Sequence, residues 1–299
     1  MTTIDILHRA DSKVSVVIAT LGGPFLQGTI LKLNQGSVVP AEVIVCIPED
    51  ESSRVQLITD ENVRIVQTPC RGQVAQRAYG FRCARNDYVL QLDDDISVRE
   101  NCLESLILAM GEARDVSVGP KLYNIATGSY YSFMVPRVRR SRFQKIIFWV
   151  INGSQGYQPG KIGRAGIGMG VPDEPGTWGD LEWLPGGCIL HRRENLVLED
   201  FYPFKGKAFV EDLFHSVILR RKKIRLMRCG SAICDVDLSS GEVHDFISFF
   251  KLYRSYVKAV ERLIDEIGGS KGYLYLYIFL YISGLIIHKI ITGIRKCNS

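Results

Sequence analysis

A chain of 299 residues with 46% apolar and 23% charged side chains has the composition of a globular protein, able to bury a real core as one large domain or two small ones. Its net charge of +5, from 37 basic and 32 acidic residues, concentrates in two runs, Arg137 to Lys145 and Arg220 to Arg225. Both suit an anionic partner such as a phosphate or a lipid surface, or else form solvated helix faces; neither is interleaved with a nucleic-acid motif, so no nucleic-acid partner is expected.

The first half alternates strand and helix. The β-branched run VSVVIAT, Val14 to Thr20, reads as a strand buried on both faces, and LGGPFLQGTILKLNQG supplies a turn, a helix-start proline and an apolar helical pattern. A second strand follows at Ala41 to Ile47, a short helix around Ser52 to Ile58, a third strand at Val63 to Thr68, a helix at GQVAQRAYGFRCAR and a fourth strand at DYVLQL. Repeats at this spacing predict an α/β sheet, mostly parallel, flanked by helices.

The fourth strand runs into three adjacent carboxylates, Asp93, Asp94 and Asp95. Like charges this close raise one another's pKa unless a cation, a helix N-terminus or water compensates them. One reading is a helix start near Val98 or Arg99, although capping needs only one acid. A second is a divalent metal at the carboxyl end of a parallel strand, where open α/β sheets bind their ligands. A third, an aspartate nucleophile of a phosphohydrolase, needs the acidic strand nearer the N-terminus, whereas here three strands precede it.

Between Gly153 and Gly187 stand eleven glycines and four prolines, so loops are expected there. Regularity returns with a short strand at GGCILHRRE, then a helix and a strand in FVEDLFHSVILRRKKIRLMRC, and then a long amphipathic helix, HDFISFFKLYRSYVKAVERLIDEIGG, ending in glycine. The tail, Tyr273 to Ile287, has fifteen residues without a charge, short of the roughly 20 that span a bilayer. Its tyrosines and flanking Lys271, Lys289, Arg295 and Lys296 suit a helix lying in the membrane interface; a span, or packing on the protein's own core or a partner, are the alternatives. The eight cysteines form no CxxC pair and the first residues lack the apolar core of a signal peptide, so a reducing, cytoplasmic setting is expected. Cys229 and Cys234 have no second pair with which to build a zinc site.

Four pieces in this order, VSVVIAT, RGQVAQRAYG, LDDDI, and GGCILHRRE followed by VEDLFHSVILRRKKIRL, together resemble the inverting family-2 glycosyltransferases of GT-A fold, of the bacterial surface-polysaccharide type. The likeness runs from about Val14 to the region of His244, over three quarters of the chain. It implies a Rossmann-like GT-A domain over residues 1–268, with a nucleotide-sugar half at 14–120, an acceptor half at 121–244 and a closing helix at 245–268. Residues 269–299 would follow as a membrane-associated helix. By the same resemblance Asp95 and Asp93 hold Mn2+ or Mg2+, with His244 a further candidate ligand. Asp93 or Asp94 touches the donor ribose, and Thr20, Glu49, Asp50, Arg71 and Arg77 border the donor. Asp212 is the general base, with Glu211, Trp183, Gly186 and Gly187 on the acceptor side; Trp178, Trp183 and Tyr157 are candidates to stack on a sugar ring. Two departures are visible. Ala78 stands where the family has asparagine after the arginine, and CIPEDESS shifts the acidic pair that meets the base. The implied activity is metal-dependent transfer, with inversion, from a UDP-, dTDP- or GDP-sugar to a glycan or lipid-linked acceptor. The implied place is the inner face of the cell membrane. A non-catalytic nucleotide-sugar or polysaccharide-binding module is the alternative.

Overall fold

The structure, a computed structural model, describes residues 14–131, 141–174, 176–238 and 246–297. His244 and the first part of the Arg137 to Lys145 run lie outside the described residues. The chain divides into two compact units, one of Met1–Tyr131 with Asp173–Ser248, the other of Ser132–Pro172 with Phe249–Ser299.

In the first unit β1 (Val14–Ala19), α1 (Leu26–Asn34), β2 (Glu42–Pro48), β3 (Val63–Thr68), α2 (Gln73–Cys83) and β4 (Tyr88–Asp93) follow in the expected order. The short helix after β2 is a 3-10 turn, Glu49–Val55. Then come β5 (Ile96–Val98), α3 (Cys102–Met110), β6 (Val116–Asn124), β7 (Ser129–Tyr130), β8 (Trp178–Leu181), β9 (Cys188–Arg192), α5 (Glu211–Arg221) and β10 (Arg225–Val236), with α4 assigned below to the second unit. The sheet order is β3-β2-β1-β4-β9-β6-β10-β5, with β7 on β6 and β8 on β10.

Strands β3, β2, β1 and β4 pair in parallel, as do β6 and β10, whereas β9 runs antiparallel between β4 and β6. The sheet is therefore mixed. Six residues, 182–187, lead from β8 into β9 with no crossover helix, and only a crossover obliges the next strand to run parallel. Every residue of β1 is buried, as its continuous apolar run predicts. Helix α2 lies close on this sheet because Gly80 faces it: a Cβ there would come 2.5 Å from Cys46 Sγ and Val17 Cγ1. That approach buries Gln76 and Arg77, one turn earlier on the same helix. The seven cysteines from Cys46 to Cys234 are all free thiols.

The second unit holds α4 (Arg142–Asn152), the glycine-rich loops up to Pro172, most of α6 (Phe246–Ile267), and α7 (Lys271–Cys297). Phe148, Ile151, Ala165, Ile167 and Met169 form its core, with Tyr157, Tyr273 and Tyr277 packed against them. Gly268 ends α6 at φ +67°, and Gly269 N–H closes back on Ile264 O at 3.0 Å, the expected glycine stop. The uncharged tail is thus part of a helix whose inner face packs on the unit's own core. Among the described residues no helix is long and apolar enough to cross a membrane.

Candidate active site

The site grows from the carboxyl ends of β1 and β4. Their parallel register pairs Ala19 with Asp93, which sets Thr20 beside the acidic triplet. Buried Thr20 donates its hydroxyl to the Asp94 carboxylate, and Thr29 Oγ1 donates to the Asp94 backbone oxygen at 2.9 Å. Gln76 Nε2 donates to Thr20 O at 2.8 Å and to Cys46 O at 2.9 Å, tying together the ends of β1 and β2. Asp93 Oδ1 receives Gln73 Nε2 at 2.9 Å and Arg77 Nη2 at 2.9 Å. Asp95 alone of the three is exposed. Burial and the neighbouring Asp93 and Asp94 push its carboxyl above the usual range, and burial raises Asp94 against the opposing Thr20 hydrogen bond.

The helix-start reading of this triplet is corrected: strand β5 intervenes, and α3 begins only at Cys102. Asp93, Asp94 and Asp95 cap no helix, so their mutual repulsion has to be met in another way.

Part of the answer is Arg77, which is 3% exposed. One of its terminal nitrogens meets Asp93, and the other meets Glu211 Oε1 and Oε2, each at 3.2 Å. Arg77, expected to reach either the donor phosphates or the aspartates, meets Asp93 and forms a buried bridge between the end of β4 and the first turn of α5. Burial alone would lower the Arg77 pKa, but Glu211 and Asp93 raise it. Glu211 is pushed up by burial, against the attraction of Arg77. The next residue, Asp212, is partly buried, and its carboxyl is raised from 3.8 to about 7, first by desolvation and then by Glu211. Both acids sit in the first turn of α5, where the helix dipole favours negative charge. They are turned there by Val210, a β-branched residue held at φ +50°, a conformation such side chains seldom adopt.

Gly186 and Gly187 close the gap between the two acidic elements. Asp93 N–H donates to Gly187 O at 2.8 Å, and the Gln91 amide donates to Gly186 O. A Cβ on Gly186 would lie 2.6 Å from Glu211 Oε1, and one on Gly187 would overlap Ile96 and stand 3.2 Å from Asp93 Oδ2. Only residues without side chains let Asp93, Glu211 and Asp212 come this near.

At the ends of β2 and β3, Glu49, Asp50, Thr68, Cys70 and Arg71 line an open cleft of about 480 Å³. Arg71 reaches across it, 2.8 Å from Asp50 and 2.6 Å from Glu51.

Trp183 is 7% exposed, so its ring is enclosed by protein, and Trp178 lies on β8. Tyr157 belongs to the second unit, where its hydroxyl donates to Gly170 O at 2.8 Å. Among the described residues no three His, Cys, Asp or Glu side chains are arranged to cage a metal ion. The sequence reading missed Gln73 and Gln76; with Arg77 they occupy i, i+3 and i+4 of α2, one helix face, which is the signal that would have found them. It also passed over His191 and His215, packed 5.4 Å apart. Burial and Arg77 lower His191 to about 3, and burial, His191 and Arg77 lower His215, so both rings are neutral at pH 7.

Residues 15–161, which are 147 of 299, match the family model described as Glycosyl transferase family 2. Of the solved structures, 403 chains are similar to this one, among them the crystal structure of GalNAc-T7 with UDP, GalNAc and Mn2+. That structure aligns with a TM-score of 0.55 at 15% identity over 82% of this chain and 48% of its own, so this chain spans about half the length of the structure it matches. No curated protein matches in sequence. These observations describe a chain whose residues 15–161 match Glycosyl transferase family 2 and whose mixed central sheet is of the GT-A type.

Proposed function

We propose that this chain is a glycosyltransferase that moves one sugar, with inversion, from a nucleotide-sugar donor to a hydroxyl of a glycan or lipid-linked acceptor. The observation that carries the proposal is the Asp93–Arg77–Glu211 bridge, which joins the acidic end of β4 to the start of α5 and so brings Asp212 into the same site as the triplet. Direct displacement of a nucleoside diphosphate at an anomeric carbon needs compensation of the charge that develops on the leaving side and a base on the opposite face.

Asp212 takes the proton of the incoming hydroxyl. A base whose pKa lies near the operating pH combines a large ionised fraction with real proton affinity, and such a base contributes roughly 100 to 10,000-fold. Thr20 and Asp94 border the ribose, and the cleft at Glu49, Asp50 and Arg71 receives the nucleobase end of a UDP-, dTDP- or GDP-sugar. Residues 14–120 thereby form the donor half and 121–244 the acceptor half.

Mn2+ or Mg2+ fits Asp95 and Asp93, because hard oxygen donors suit these ions and the exposed Asp95 carboxylate is crowded by negative charge that a cation relieves. When bound, such an ion supplies positive charge to the departing diphosphate. Water and phosphate oxygens would fill the rest of its shell, with His244, outside the described residues, as a further candidate ligand.

The test is a panel of UDP-, dTDP- and GDP-sugars, scored by thermal stabilisation with and without Mn2+ and then by release of nucleoside diphosphate. Stabilisation by one nucleotide class that requires Mn2+ and is lost in Asp95→Asn is expected. A chain that no donor stabilises and that releases no diphosphate overturns the proposal.

A further inference from the structure

Helices α4 and α7 of the second unit lie antiparallel. Phe148 packs 6.3 Å from Tyr277, and Phe143 lies where a Cβ on Gly284 would be. Their inner faces are accounted for: Ile147, Phe148 and Ile151 of α4 and Leu274 of α7 are fully buried.

Their outer faces are the anomaly. On a surface helix the outward positions are polar. Here α4 turns out Phe143, Ile146 and Trp149, with Ile146 57% and Trp149 59% exposed. Helix α7 turns out Tyr275, Phe279 and Ile282, spaced i, i+4 and i+7, with Phe279 66% exposed. Two rows of large apolar side chains thus stand outward on one helix pair. Single exposed apolar residues are ordinary, but rows of them mark a surface that is covered by something.

The charge pattern identifies what covers it. Neither α4 nor α7 contains an aspartate or glutamate, while Arg142 and Lys145 stand among the exposed α4 residues and Lys271 begins α7. Two acids of α6 reach α7 and are already engaged there: Tyr275 donates to Glu261 at 2.6 Å and Lys271 to Asp265 at 2.9 Å. Aromatic and aliphatic groups beside the exposed Arg142 and Lys145 are the complement of an anionic lipid surface. A protein groove that takes helices offers no such requirement for positive charge all round.

We infer that α4 and α7 together form a docking face for an anionic bilayer, with Ile146, Trp149, Phe279 and Ile282 entering the headgroup region and Arg142 and Lys145 meeting lipid phosphates. This inference is independent of the sugar-transfer proposal, because its readout needs no donor or acceptor.

The full chain is mixed with vesicles of phosphatidylcholine alone or with phosphatidylglycerol, and co-sedimentation and tryptophan emission are measured. Three tryptophans are present, and Trp149 is the one on the proposed face. The intact chain is expected to sediment with phosphatidylglycerol vesicles, less with phosphatidylcholine alone, and to show a blue-shifted emission quenched by brominated lipid. The double variant Trp149→Ser, Phe279→Ser is expected to partition roughly tenfold more weakly. Both positions are exposed, so its circular dichroism and melting should match those of the intact chain. Leu57→Ser, at an 86% exposed site in the first unit, serves as control and is expected to bind normally. Equal sedimentation of intact chain and double variant overturns the inference, as does absence of binding by the intact chain. A concentration-dependent dimer that the double variant dissolves, without vesicle binding, would assign the face to a second copy instead.

Discussion

The protonation of Asp212 makes the sharpest prediction, because it sets stability and chemistry against each other. In the folded protein this carboxyl titrates near 7 against 3.8 when free. An acid whose folded pKa lies above its unfolded value favours the native state when protonated, and that contribution is lost as pH rises from about 4 through 7. A difference of about three pKa units is about 4 kcal/mol at most, and because the residue is only partly buried the working range is about 2 to 4 kcal/mol. Asp212→Asn replaces the charge by a neutral group of the same shape. Its stability relative to the intact protein should therefore grow between pH 5 and pH 8 by about 1 to 2.5 kcal/mol, since that window covers more than half of the effect. The assay is urea unfolding of both proteins at the two pH values, with the double difference cancelling the titrating groups that do not interact with Asp212. Glu211 changes in the same direction, since removing its charged neighbour eases its own ionisation. A difference between the two proteins that is independent of pH would refute the electrostatic account of this site.

Other outcomes follow from the same geometry. If Asp212 is the base, transfer should rise as pH passes through about 7 and be lost in Asp212→Asn while nucleotide binding persists; unchanged transfer would remove it from the role. Arg77→Met should cost about 3 to 5 kcal/mol in urea unfolding, because it leaves Asp93 and Glu211 without their shared partner, and a loss below 1 kcal/mol would show that the bridge is not formed. Gly187→Ala should destabilise by about 1 to 3 kcal/mol through overlap with Ile96, measured in the same way. Arg71→Ala removes only exposed ion pairs, so its stability should change by less than about 1 kcal/mol while donor affinity, read by thermal shift, falls.

The alternating elements of the first half were legible because a strand buried on both faces leaves an unbroken β-branched run, as in VSVVIAT, and because such strands carry their own period. The acidic triplet was legible as a cluster, since adjacency in sequence is adjacency in space. Its partners were harder to see. Gln73 and Gln76 are recognisable as one helix face only after α2 is placed, and the antiparallel course of β9 depends on a loop whose path no local pattern encodes. The tail was legible as an uncharged aromatic helix, but that Tyr273 and Tyr277 pack on the core of the second unit, beside Phe148 of α4, depends on a fold no local pattern encodes.

By itself, then, the chain determined which stretches could be strands and helices, that three carboxylates would end a strand, and that two glycines would precede β9. Those properties reside in hydrophobic period and local chemistry, over distances of a few residues. Tertiary structure alone decided that Arg77 would join Asp93 with Glu211, a residue 134 positions along the chain from Arg77. A buried guanidinium has to find carboxylates wherever the packed sheet brings them, and that pairing is set by the close approach of α2 at Gly80 and of the Gly186–Gly187 turn, not by any spacing along the chain.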